Sequence, residues 1–180
     1  MNRVIGAVLI ASTLGFAAAC DDDGPTDPTD ETITFTAQLS PANEVPAVTN
    51  AESTGSGTAT IVLDVERDAA GTITSATVNF QVNLAGFPVN TPAALTMAHI
   101  HTGAAGVNGA ILVDTGLAAS EVTLTTGAGA FTKNGIGNSG PNGITVAEAQ
   151  DIINSPAGFY FNVHSVLNPG GMARGQLVKQ

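Results

Sequence analysis

Apolar and polar side chains alternate with period two along much of this chain. Ile33, Phe35, Ala37 and Leu39 fall on one face of a strand, with Thr32, Thr34, Thr36 and Gln38 on the other. Ala59, Ile61, Leu63 and Val65 repeat the pattern. The longest run is Ala76, Val78, Phe80, Val82 and Leu84, set against Thr77, Asn79, Gln81 and Asn83. Such alternation marks half-buried antiparallel strands. Shorter runs at 95–101, 110–114, 121–126, 158–164 and 173–179 predict further strands. Turn formers separate them, among them Pro41-Ala42-Asn43, Ala69-Ala70-Gly71 and Asn168-Pro169-Gly170-Gly171. Seven or eight short strands spaced this way predict an all-β, antiparallel, Greek-key-like sandwich over residues 32–180. One short helix is expected near 145–154. Thr145-Val146-Ala147-Glu148 is a capping box, Ile144, Val146, Ala149, Ile152 and Ile153 share a helical face, and Pro156 follows its end. The Gly- and Asn-rich stretch from Gly127 to Gly143 is expected to be a long, mobile loop.

Composition adds an address. Arg3, the apolar run Val4–Phe16 and the small residues Ala17-Ala18-Ala19 read as a signal peptide over 1–19. Cys20, the only cysteine of the chain, stands at the cleavage point, where a bacterial lipoprotein is acylated. Ala17 occupies a position where such signals usually carry Leu, and Ala17-x-Ala19 also suits ordinary secretion, which is the alternative. Residues 20–31 then form a lipidated cysteine and an acidic, disordered tether, since 21–31 holds six of the fifteen acidic residues and no apolar side chain. The expected location is extracytoplasmic, in the bacterial cell envelope, with the membrane engaged through the lipid. A net charge of −10 argues against nucleic acid as a partner. Charged residues make up only 11% of the chain, so the strand surfaces are polar but nearly neutral.

The three histidines are His99, His101 and His164. In a strand, His99 and His101 point to the same side, about 6.6 Å apart along the chain. If 95–101 and 158–164 pair, His164 is the one residue able to bring a third imidazole. Three ring nitrogens with an open position suit copper or zinc, and Met97, on the same side, would add a soft donor for Cu(I). The competing reading has each histidine pinning a loop through a backbone carbonyl, with Asn162, Asn108 and the nearby glycines in one hydrogen-bonded cluster. Asp114 is a candidate partner for a histidine ring. Arg174 is read either as steering anions or as an ion-pair former and carbonyl cap near the last strand. Glu44 is read as a turn-stabilising acceptor, Pro46 as a rigid turn or a cis bond, and Gly103, Gly106 and Gly109 as positions of positive φ. No Gly-x-Ser-x-Gly elbow, Cys-x-x-Cys pair or catalytic carboxylate pair is present.

Phe35-Thr36-Ala37-Gln38-Leu39-Ser40 with Ala42-Asn43-Glu44-Val45-Pro46 resembles the opening of a CHRD domain, the module named after chordin. The steps Gly55–Ala59, Ala98–Gly109, Tyr160–Ser165 and Asn168–Leu177 fit the same pattern, in order, over about 33–178. The resemblance implies an exported domain of unsettled activity. A weaker resemblance joins His99-x-His101, Val163-His164 and Arg174 to the copper/zinc superoxide dismutase sandwich. It implies a copper-only site, because the further histidines of a zinc site are absent. The expectation is a membrane-anchored, non-catalytic surface module that binds an unknown protein or glycan. The alternative is a copper-binding or dismutase-like redox protein built on His99, His101 and His164.

Overall fold

The strands assemble into two antiparallel sheets packed face to face. The structure is a computed structural model and describes residues 29–90, 93–138 and 143–180. The expected signal peptide, Cys20 and most of the tether lie outside the described residues. The larger sheet has the order β6-β3-β2-β1-β9, with β1 Thr29–Leu39, β2 Ser56–Arg67, β3 Ile73–Ala85, β6 Gly129–Ile136 and β9 Val178–Lys179. The smaller has the order β5-β4-β7-β8, with β4 Leu95–Thr102, β5 Ile111–Asp114, β7 Phe159–Ser165 and β8 Ala173–Gln176. β1 begins at Thr29, so Thr29, Asp30 and Glu31 extend the first strand on its exposed end.

The alternating positions close the core. Phe35, Ala37, Ile61, Leu63, Val78, Phe80 and Val82 face inward from the larger sheet, and Ala98, Ile100, Phe161 and Val163 meet them from the smaller. Phe80 and Phe161 touch across the interface, with ring centroids 5.7 Å apart. The helix α1 spans Val146–Asn154 and starts at the predicted cap. Glu148 N donates to Thr145 Oγ1 at 3.2 Å, and Thr145 N donates to the Glu148 carboxylate at 2.8 Å. Ala149 and Ile152 are buried against the core, and the helix lies beside β3.

Three elements depart from the sequence expectation. Nine strands, rather than seven or eight, stand among the described residues, the ninth only two residues long. Residues 121–126 form no named strand and contribute one isolated bridge, Ala94 to Thr123. The neighbouring strand is instead β6, inside the stretch expected to be a mobile loop. Its only buried side chain is Phe131, so it carries almost no hydrophobic alternation. Backbone pairing with the free edge of β3, where Val82 faces Phe131, makes it a strand. The expected single strand at 173–179 is broken at the buried Leu177, and the chain passes from the smaller sheet into the larger. Gly175 makes that passage possible, because a Cβ there would stand 2.2 Å from the Gln38 carbonyl oxygen of β1.

Replacing Phe80 with Ala removes the ring that joins the two sheets and leaves a cavity. Urea unfolding is expected to show a loss of about 3–5 kcal/mol. An unchanged midpoint would place this ring outside the core.

Candidate metal centre

The outward face of the smaller sheet should be wet, yet it is buried. His99, His101, Asn162, His164 and Arg174 on that face are all 7% exposed or less. Strand register sets their arrangement. His99 lies opposite Asn162, His101 opposite Tyr160 and Met97 opposite His164. Asn162 in turn faces Arg174 on β8, and His99 faces Asp114 on β5. Inward residues of the same strands are apolar, so the period-two alternation that builds the core also gathers this polar layer. Segments 41–50, 103–110 and 166–172 fold over it. Asn108 Nδ2 donates to the Val45 carbonyl at 2.8 Å and joins two of them.

The three imidazoles converge. One ring nitrogen from each of His99, His101 and His164 lies within 4.8 Å of the others. His101 Nδ1 lies 3.1 Å from the Gly109 carbonyl, and His164 Nδ1 lies 2.9 Å from the Pro169 carbonyl. A carbonyl only accepts, so each of these nitrogens carries the ring proton. Their Nε2 atoms are left as lone pairs. His101 Nε2 is buried and has no hydrogen-bond partner. His164 Nε2 lies 3.3 Å from His99 Nδ1. The remote His99 Nε2 is 3.9 Å from Asp114 Oδ1. The nitrogens facing one another are His99 Nδ1, His101 Nε2 and His164 Nε2, and all three present lone pairs when the His99 proton sits on Nε2, the side of Asp114. Burial, as the largest cause, pushes all three rings below the usual imidazole range, His99 to about 4. Neutral imidazoles keep their lone pairs, as ligation requires.

The surroundings hold the rings in place. Tyr160 stacks on His101 with centroids 4.9 Å apart and planes 4° from parallel. The Arg174 guanidinium sits over the other side of Tyr160, 4.6 Å from its centroid. Arg174 Nε donates to the Asn43 carbonyl at 2.5 Å, and Nη1 donates to Asn108 Oδ1 at 2.9 Å. Gly109 admits no side chain, since a Cβ there would overlap the Thr102 carbonyl at 1.6 Å. Glu44 lies buried under Arg174, and Asn162 supplies it a side-chain hydrogen bond. Desolvation raises its carboxyl to about 7, opposed by Arg174 and by that bond. A Cβ at Gly171 would meet the same carboxylate at 2.5 Å.

Arg174 thus caps carbonyls of the roof. Asp114 stands near His99 but is half-exposed and also accepts from Gly116 N, at 2.8 Å. Met97 is 40% exposed and lies outside the buried layer. Glu44, expected as a turn acceptor, belongs to the polar layer itself, because the roof removes it from water. Pro46 follows a cis bond, and Gly103 and Gly106 have positive φ. Gly109 does not; close contact, rather than φ, is what demands glycine there. Asn162, expected in a hydrogen-bonded cluster with the histidines, stands beside the His164 ring nitrogen. One contribution was missed from sequence: Tyr160 as a stacking plate shares a face with His164 in Tyr160-Phe161-Asn162-Val163-His164, and that alternation was the available signal.

An antiparallel sandwich carrying a roofed His-x-His and a third histidine on the adjoining strand defines the architecture. The CHRD domain model matches residues 35–177, and the chain belongs to the CHRD domain family. This supports a surface or binding module in general. No curated protein and no solved structure gives a significant match.

Two opposing pH effects follow. The imidazoles bind protons less readily when folded, so their contribution to stability is present above about 6.5 and is lost as pH falls towards 4. Glu44 binds its proton more readily when folded. Its contribution is complete below about 4.5 and is lost as pH rises through about 7. Thermal unfolding of wild type and Glu44→Gln across this range should separate them. The difference is expected to move in favour of the variant as pH rises from 4.5 to 7. A pH-independent difference would contradict the raised carboxyl.

Proposed function

We propose that this chain is an exported, lipid-anchored binding module, and that its roofed face binds a single copper ion through His99, His101 and His164. The carrying observation is that His101 and His164 commit their Nδ1 atoms to carbonyls, while the buried, unpartnered His101 Nε2 closes on the other two rings. Three neutral imidazoles suit copper and zinc, and copper stands highest among the divalent ions in affinity for such donors. Binding without turnover is the role proposed, because every ring is 7% exposed or less beneath the roof loops. The cluster does not favour a dismutase-like redox enzyme over simple binding. The open face of the larger sheet, with Thr34, Thr36, Gln38, Thr60, Asn79 and Gln81, is the surface offered to a protein or glycan. The signal-peptide-like pattern of residues 1–19 and the cysteine that follows it support a place in a bacterial cell envelope, held to the membrane by lipid.

The full chain, expressed without a histidine tag, is expected to carry one copper by mass spectrometry of the metals copper and zinc. His99→Ala should weaken copper binding by tenfold or more. Stoichiometric copper surviving that change would remove these residues from the site. The anchor has a separate test. Cells fed radiolabelled palmitate should label the wild-type chain in the membrane fraction and fail to label Cys20→Ser. A Cys20→Ser chain that still partitions with membranes would overturn the lipid anchor.

A further inference from the structure

Asn162 is the residue of the polar layer whose placement the histidine set alone does not explain. Its Oδ1 lies 3.0 Å from His164 Nε2. That nitrogen has no proton to give, because the ring proton sits on Nδ1 and donates to the Pro169 carbonyl. Two acceptors therefore face each other at hydrogen-bond distance. Turning the amide over would relieve the mismatch, but its N–H side serves the buried Glu44 carboxylate. The reversed amide would give up that bond. The same amide also bears on His101. A cation at the meeting point of the ring nitrogens removes the conflict, since it accepts electron density from both atoms.

We infer that Asn162 Oδ1 is a fourth donor of the proposed copper site, and that Glu44 is the positioning residue that keeps the amide oxygen turned inward. This rests on the copper reading above and deepens it. Three imidazoles and one amide oxygen form a harder donor set than three imidazoles with a thioether. Met97, the soft donor within reach on the sequence, is 40% exposed and outside the buried layer. The site therefore favours Cu(II) over Cu(I), since carbonyl oxygen suits harder ions and thioether selects Cu(I).

The test compares Cu(II) and Cu(I) affinities and the reduction potential of the untagged, copper-loaded chain. Asn162→Leu is expected to weaken Cu(II) binding about tenfold and to leave Cu(I) within about threefold. A tenfold change in that ratio raises the potential by about 59 mV for one electron. Retained Cu(I) binding also shows that the variant folds. Asn162→Asp, close in shape and anionic, should move the potential the other way. Glu44→Gln should move it in the same direction as Asn162→Leu and by less. Potentials equal to wild type in the Asn162 variants, with copper bound, would overturn the oxygen donor. A shift in those variants but none in Glu44→Gln would overturn the positioning role. A wild-type chain that takes up no copper would end the underlying metal reading, and this inference with it.

Discussion

The pairing register of β4 and β7 is the constraint on which the site depends. Side chains alternate with period two, so one register puts Ala98, Ile100, Phe161 and Val163 in the core and His99, His101, Asn162 and His164 on the opposite face. A slip of one residue in β7 would bury His164 and Asn162 among aliphatic side chains and expel Phe161 and Val163. The apolar core thus enforces the register, and the register aligns the imidazoles. No separate device is needed to bring residues 65 positions apart in the sequence together.

A polar layer on a sheet face is costly unless its hydrogen bonds are made. Here loops supply them. The Gly109 and Pro169 carbonyls take the Nδ1 protons of two rings, and Arg174 caps the Asn43 carbonyl. Glycine at 109 and 171 lets backbone approach where any side chain would collide. Of the four buried side-chain polar atoms without a partner among the described residues, Glu44 Oε1, His101 Nε2 and Arg174 Nη2 lie in this one layer. Unmet bonding capacity is concentrated in this polar layer, rather than scattered through the core.

Much of this was legible in the chain. The long alternating runs marked β1, β2 and β3, and Thr145 with Glu148 marked the helix start. The three histidines were recognisable because nothing else in the sequence competes with them. What was not legible depends on partners distant in sequence. β6 owes its existence to the edge of β3, not to its own side chains. The break at Leu177 follows from how closely Gly175 approaches β1. Glu44 looked like a turn residue because its burial is created by β8 and by the segment around Gly171, more than a hundred positions away.

The roof over the imidazoles is drawn from both halves of the sandwich. Segment 41–50 continues from β1 of the larger sheet, and segment 103–110 continues from β4 of the smaller; Asn108 and Arg174 tie them together. Neither sheet alone can enclose the centre. A chain in extended form has its histidines apart and its carbonyl partners missing, so the centre comes into being only after both sheets have formed and met. The centre is in that sense a report that the two halves have mated.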